Sequence, residues 1–268
     1  MHEIVPVNSP AASGRRIFFL PYGKSTLVKA MNIRGMRAFS MIDFPGKLAC
    51  VVFAGNCNFK CSYCHNPALV FDPESQPEIT EKQFLSFLDK RIGRLDGVVI
   101  SGGEPSLRRG LLSFVKKIKA KGFMIKLDTN GSTPEKVFEI HREAGLDALG
   151  VDYKAPSVKY AEITNCKIPQ LAEKVHSVIR FAIEKNISID VRTTVHQHLL
   201  SVDDLQTMRH ELHALGQKEW MLQQFNPAEI IDDDLLKHKT YTDTELLAIA
   251  GSFGDTRVRG LKGIVIHR

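Results

Sequence analysis

The sequence predicts an α/β fold, an open or partial (β/α)6 barrel. Three observations predict it. From residue 47 onward, short apolar strands alternate with amphipathic helical stretches, and that alternation implies parallel pairing through right-handed crossovers. The chain has 268 residues, 43% of them apolar, and domains of this size bury roughly 70–75% of their unfolded surface. Polar residues gather at the strand ends, where parallel α/β folds collect ligands. One core domain over residues 33–268 is the simplest division, because α/β barrels routinely run this long.

Residues 1–32 precede the pattern and fit it poorly. They carry Pro6, Pro10, Gly14, Pro21 and Gly23 with no sustained period. Arg15-Arg16 before Ile17-Phe-Phe-Leu20 resembles a twin-arginine signal, but the apolar run stops at Pro21, short of the roughly 7–15 residues a signal needs. Tyr22-Gly-Lys-Ser-Thr26 resembles the end of a phosphate-binding loop. That loop requires a glycine five residues before Gly23, and Phe18 stands there instead. A start at Met31 or Met36, with the front a loose extension, is one expectation that this poor fit raises.

The first strand is read over Leu48–Phe53 and exits into a cysteine run. A helix follows, opened by Thr80 with Gln83 as a capping box and striped by Phe84, Leu85, Phe87, Leu88 and Ile92. The second strand, Gly97–Ser101, leads to a helix striped by Leu111, Phe114, Val115 and Ile118. The third, Met124–Asp128, precedes a helix that starts at Pro134, since proline suits a first helical position. The fourth, Ala148–Asp152, is followed by the stripe Leu171, Val175, Val178, Ile179 and Ala182. The fifth, Ile187–Thr194, precedes a helix opened by Ser201 with Asp204 and ended by Gly216. The sixth is Trp220–Phe225. All of these stripes are core.

The run after the first strand is Gly55-Asn-Cys-Asn-Phe-Lys-Cys-Ser-Tyr-Cys-His-Asn-Pro67, with the spacing C-x3-C-x2-C over Cys57, Cys61 and Cys64. Three thiolates are one short of the four terminal ligands a cubane cluster takes, so one iron would stay open to a substrate. The same residues also fit a c-type haem attachment motif and a C-x-x-C redox pair, both in Cys61-Ser-Tyr-Cys64-His65, or a Cys3His zinc site. Five cysteines, an odd number, do not suggest a disulfide framework, and a reducing cytosol is expected. The net charge of +6 is dispersed, and no basic patch interleaved with aromatics points to nucleic acid. An acidic protein partner, such as a small electron carrier, suits that charge better. No apolar run approaches a membrane span, so a cytoplasmic protein is expected.

Polar groups end each strand in turn: the cysteine run, Ser101-Gly-Gly-Glu104, Asp128-Thr-Asn130, Asp152-Tyr-Lys154, Arg192 with Thr193 and Thr194, and finally Gln223, Gln224 and Asn226. Any one of them alone could be ordinary turn chemistry.

The cysteine triplet together with Gly97-Val-Val-Ile-Ser-Gly-Gly-Glu-Pro105 resembles the radical S-adenosylmethionine (SAM) superfamily. Phe39-Ser-Met-Ile-Asp-Phe-Pro-Gly46, the Cys-His-Asn-Pro67 ending and Leu127-Asp-Thr-Asn-Gly131 are similar to activating enzymes of glycyl radical enzymes. The activating proteins of anaerobic (class III) ribonucleotide reductases are the most similar group. The resemblance covers roughly residues 33 to 230. It implies a barrel of the radical SAM type, with Cys57, Cys61 and Cys64 holding a [4Fe–4S] cluster and Gly-Gly-Glu binding the methionine end of SAM.

Several roles follow from that resemblance. Gly102 and Gly103 would let backbone approach the SAM ammonium because no Cβ intervenes. Glu104 would hold the turn or touch ligand. Tyr63 would pack on adenine or shield the cluster, and Lys154 would offset the SAM carboxylate. Asp128 and Asp152 would bind a monovalent cation or SAM, or else form a salt bridge with Lys154 or Arg192. His65 would pack or hydrogen-bond near the cofactor, because a fourth protein ligand would close the cluster. Asn226 stands where formate-lyase activating enzymes carry a histidine near adenosine, a departure from the pattern. The implied activity is reductive cleavage of SAM, producing a glycyl radical on a partner enzyme, with electrons from a flavodoxin or ferredoxin. The alternative is a small-molecule substrate, as in 7-carboxy-7-deazaguanine synthases.

Overall fold

In the computed structural model, residues 31–227 and 230–261 are described. The expectations for the arginine pair and for Tyr22–Thr26 lie outside these residues. By internal contacts the chain divides into two units.

The first unit comprises, among the described residues, 31–58, 66–128 and 139–147. Its strands are β1 (Ile33–Ser40), β2 (Ala49–Ala54), β3 (Gly97–Gly102) and β4 (Met124–Thr129), adjacent in that order. β2, β3 and β4 are parallel, with Ala49 beside Gly97 and Gly97 beside Met124. Cys50, Val52, Val98, Val99, Ile100, Ile125 and Leu127 are fully buried, as expected for parallel strands covered on both faces. The helices are α1 (Pro67–Phe71), α2 (Glu81–Asp89) and α3 (Leu111–Lys119). The Thr80–Gln83 capping box forms as read, and Phe84 of α2 meets Phe114 of α3 with ring centroids 5.5 Å apart.

β1, antiparallel to β2, escaped the sequence reading. Its arginines hid the pattern. Arg34 is buried and pairs with Glu74, while its Nε donates to Asn32 Oδ1 at 2.5 Å. Arg37 reaches Asp43 at 2.6 Å. These local partners make two buried or half-buried cations tolerable in a strand.

The second unit comprises, among the described residues, 59–65, 129–138, 148–227 and 230–261. Helix α4 (Pro134–Ala144) starts at Pro134 as expected, with its residues divided between the two units. The strands are β5 (Ala148–Asp152), β6 (Ser188–Val195), β7 (Trp220–Gln224) and β8 (Thr256–Arg259), parallel and adjacent in that order. The helices are α5 (Tyr160–Thr164), α6 (Leu171–Glu184), α7 (Val202–Ala214) and α8 (Asp243–Ser252). The capping box at Ser201 and Asp204 is present.

β8 and α8 extend the six-unit reading. α8 carries a capping box of Thr242 and Glu245, a signal of the kind used at Thr80. β8 reads Thr-Arg-Val-Arg, where two arginines mask a four-residue strand. In β6, Val191, Thr193 and Val195 are buried, whereas Asp190, Arg192 and Thr194 are only partly so. Period-2 alternation therefore gives this sheet one apolar face and one polar face.

Candidate functional site

In the first unit, the exit of β2 is bound to the exit of β3. Gly103 N–H donates to Ala54 O and Glu104 N–H to Asn56 O, both at 2.8 Å. A Cβ on Gly102 would stand 2.3 Å from Ala54 N, and one on Gly103 only 2.1 Å from Asn56 O. Gly102 also has φ +119, a conformation side chains rarely adopt. The space of the missing side chains is thus taken by the chain's own backbone just before Cys57. These glycines let two strand exits touch, which seats the cysteine loop.

Glu104, expected either to hold this turn or to touch ligand, does hold the turn. It is fully buried, and its carboxylate accepts from Ser106 N–H at 3.0 Å and from the Ser106 hydroxyl. Asp128 at the end of β4 pairs with Lys126, Nζ to Oδ1 at 2.6 Å, with both side chains buried. The sequence expectation for Asp128 is a monovalent cation or SAM, or else a salt bridge with Lys154 or Arg192; the ion pair it makes is with Lys126. Lys126 was missed, although residues two apart on a strand share a face.

The second unit holds the other half of the cysteine run. Cys64 N–H donates to Cys61 O at 3.0 Å, closing a turn, and Lys60 N–H ties the loop to Thr164 O at 2.9 Å. Cys61 and Tyr63 are buried. Burial pushes the Cys61 thiol up to about 11, and the nearby Lys154 charge works against it. The Tyr63 hydroxyl is buried without a hydrogen bond of ordinary geometry, although it lies near enough to Cys61 to favour its thiolate. Lys154 Nζ stands 5.7 Å from the centre of the Tyr63 ring, within cation–π range.

Asp152 joins two cations: Arg192 Nε is 2.6 Å from Oδ1 and Lys154 Nζ is 3.4 Å from Oδ2. Burial alone would raise its carboxyl, but Arg192 and Lys154 hold it well below the usual carboxylate range. Burial likewise pulls Lys154 down, and Asp152 outweighs it, so the ammonium stays charged. The salt bridge with Lys154 or Arg192, kept open as an alternative for Asp152, forms with both.

Tyr160, also missed, accepts from Lys154 N–H at 3.2 Å and donates to Asp152 O at 3.3 Å, tying down the β5 exit. Tyr153, between the two charged residues, is fully buried and bonded to Glu211 of α7. His65 lies against Phe225, ring centroids 6.1 Å apart. Asn226 is exposed just beyond β7.

Gly102, Gly103 and Glu104 thus gather at the Cys57 side of the loop in the first unit. Tyr63, Asp152, Lys154 and Arg192 gather with Cys61 in the second. None of the cysteines is in a disulfide. Among the described residues, no three His, Cys, Asp or Glu side chains are grouped to hold a single metal ion, and no helix is long and apolar enough to cross a membrane.

A sequence profile of the radical SAM superfamily matches residues 51–209. The chain belongs to the radical SAM superfamily. A Methanocaldococcus jannaschii protein, provisionally named a glycyl-radical enzyme activating enzyme, is 30% identical over 217 residues, covering 80% of this chain and 88% of the relative. Streptococcus suis SuiB, solved with its precursor peptide SuiA, superposes with a TM-score of 0.61 at 12% identity over 78% of this chain and 48% of SuiB. TYW1, solved with a lysine–pyruvate adduct, gives 0.55 at 16% identity over 76% of this chain and 72% of that one. This radical SAM chain therefore shares their α/β fold and spans about half the length of SuiB.

Radical SAM enzymes use a [4Fe–4S] cluster and S-adenosylmethionine. The residues present fit that chemistry. Three unbridged thiols share one loop, and a cubane accepts thiolates as its terminal ligands. The iron charge would oppose the burial that keeps Cys61 protonated.

Proposed function

We propose that this radical SAM enzyme generates a glycyl radical on a partner enzyme, and that the partner is an anaerobic (class III) ribonucleotide reductase. The observation that carries the reading is the 30% identity to a relative named for glycyl-radical enzyme activation, across 88% of that relative's length. Asp-Phe-Pro-Gly46, Cys-His-Asn-Pro67 and Leu127-Asp-Thr-Asn-Gly131 support the choice of reductase.

In this reading Cys57, Cys61 and Cys64 hold the cluster. When bound, the cluster would supply one electron to cleave the C5′–S bond of SAM, leaving methionine and a 5′-deoxyadenosyl radical that would take a hydrogen atom from the Cα of the partner's glycine to give 5′-deoxyadenosine and the glycyl radical. The electron comes from a flavodoxin or ferredoxin, whose acidic surface suits the net charge of +6.

The chain's own residues place and enclose these partners. Backbone at Gly102 and Gly103 meets the SAM ammonium. Lys154 offsets the SAM carboxylate, sharing its charge with Asp152, and Arg192 keeps Asp152 ionised. Tyr63 packs on adenine or shields the cluster, His65 packs or hydrogen-bonds near the cofactor, and Asn226 stands near the adenosine. Lys126 and Lys154 pair with Asp128 and Asp152, and the two carboxylates bind a monovalent cation or SAM.

The test is electron paramagnetic resonance of a class III reductase after incubation with the reconstituted, reduced protein and SAM. A glycyl doublet on the reductase is the expected result. SAM turnover with no signal on the reductase, and with a signal on another glycyl radical enzyme, would replace the reductase as partner.

A further inference from the structure

We infer that Glu211 of α7 is a positioning residue for the β5 exit: its carboxylate fastens Tyr153 and Ser157 together and so sets where Asp152 and Lys154 stand. What that placement serves rests on the SAM reading of Lys154 above; the contacts themselves do not.

The contacts lie within the second unit. Tyr153 is fully buried, and its hydroxyl donates to Glu211 Oε2. Ser157 N–H donates to the same carboxylate, 3.1 Å from Oε1 and 3.3 Å from Oε2. One side chain thus closes a ring around residues 153–157. Pro156, just before Ser157, has no N–H of its own to offer. Hydrogen bonds to a charged acceptor are the stronger kind. His176 Nε2 of α6 is 3.2 Å from the Tyr153 hydroxyl. A carboxylate accepts and a hydroxyl has one proton to give, so His176 is left to donate through Nε2.

The backbone of Tyr153 is held too. Its N–H donates to Arg192 O at 2.9 Å, and its carbonyl accepts from the Thr193 hydroxyl. That hydroxyl oxygen in turn accepts from Trp220 Nε1 at 2.9 Å. Side chains alternate along an extended chain. Asp152 and Lys154 therefore share one side, where they pair, and Tyr153 takes the other, toward α7. Lys159, two residues beyond Ser157, binds Asp204 at 2.7 Å. Asp204 and Glu211 stand seven residues apart on α7, a spacing that places them on one helix face. α7 thus grips the exit of β5 at two points, and Glu211 is the one that reaches Lys154, through Tyr153.

The test pairs two measurements on the full-length chain. The first is amide hydrogen exchange, read residue by residue, on the reduced, metal-free protein. Glu211→Ala removes both bonds, Tyr153→Phe removes one, and Glu211→Gln keeps the reach and an acceptor. In E211A the Lys154 amide, whose own partner is the Tyr160 hydroxyl, should exchange about tenfold faster, the scale of one lost hydrogen bond to a charged group. Amides of α3 should keep their rates, Y153F should fall between, and E211Q should return toward the wild type. The second measurement is SAM affinity of the cluster-loaded protein at constant iron content, with Lys154→Ala as the reference. E211A should weaken SAM binding about tenfold, and E211Q should weaken it less.

Unchanged Lys154 exchange in E211A would overturn the inference. So would equal acceleration along the whole chain, which marks global loosening, or Ala and Gln acting alike. Faster exchange with unchanged SAM affinity would overturn it as well, and K154A then separates the causes. If K154A weakens SAM binding, Glu211 does not place Lys154; if K154A leaves it intact, the SAM reading of Lys154 has failed.

Discussion

Arg192 Nε lies 2.6 Å from Asp152 Oδ1, across neighbouring parallel strands, while Lys154 holds the other carboxylate oxygen at 3.4 Å. One carboxylate therefore organises two cations beside the buried Cys61–Tyr63 turn. Removing it leaves two positive charges with less compensation than before.

Asp152→Asn should accordingly destabilise the folded chain. Breaking a buried pair costs about 3–5 kcal/mol, and the partial exposure of Asp152 reduces this to about 1–3 kcal/mol by solvent screening. The folded carboxyl titrates below its unfolded value of about 3.9, so its contribution is present above that pH and is lost as pH falls further. Urea unfolding of both proteins at pH 7 and pH 3 checks this: the gap should be present at the first and smaller at the second. Equal stability at pH 7 would remove Asp152 from its organising role.

Gly103→Ala should cost about 1–3 kcal/mol, because a side chain is forced into packed backbone. The Cβ would meet Asn56 O at 2.1 Å, one residue before Cys57, so iron loading should fall along with stability. Thermal unfolding and iron content of the same preparation are the readouts. Full stability with weakened SAM affinity would restore the simpler view that the glycines serve ligand alone.

Much of this was legible in the sequence because the parallel strands are continuous apolar runs bounded by glycine, proline and capping residues. Gly97–Gly102 and Ala148–Asp152 could be read that way almost residue for residue. β1 and β8 could not, since Arg34, Arg37, Arg257 and Arg259 break the apolar pattern and find their partners only in three dimensions. Within the site, chemistry-bearing residue types announced themselves, but pairings did not. Asp128 chose Lys126 on its own strand, and the space beside Gly103 belongs to Asn56.

His196 gives the chain a pH dependence of known sign. Burial, with smaller contributions from His198 and His238, pulls the ring down to about 4, against about 6.5 in an unfolded chain. Between those values the unfolded chain binds more protons, so stability is full above about pH 6.5 and falls as pH drops toward 4. Between pH 7 and pH 4.5 the wild type should lose about 1–3 kcal/mol more than His196→Asn, which has no titrating ring. Denaturant titrations at the two pH values measure the difference; parallel losses in both proteins would show that the ring is not held neutral.

Cys57→Ala, Cys61→Ala and Cys64→Ala should each abolish a reconstituted [4Fe–4S] cluster, whereas Cys50→Ala and Cys166→Ala should retain it. Cys50 is a buried core thiol pushed up to about 12 by burial, which suits packing rather than ligation. Iron and sulfide analysis with an absorbance scan decides the matter. A full cluster in the Cys61 variant, or zinc without sulfide in the wild type, would contradict the ligand assignment.

The central claim is that the radical made here is passed to a protein glycine. Transfer requires the donor and acceptor atoms to meet in near-attack geometry, so isotope should move directly between them. The measurement is the deuterium content of 5′-deoxyadenosine formed with a class III reductase carrying deuterium at its glycine Cα. Label in the 5′-deoxyadenosine, together with a glycyl doublet on the reductase, is the predicted result. SAM consumed without label transfer, with the label arriving instead from a small-molecule substrate, would contradict it.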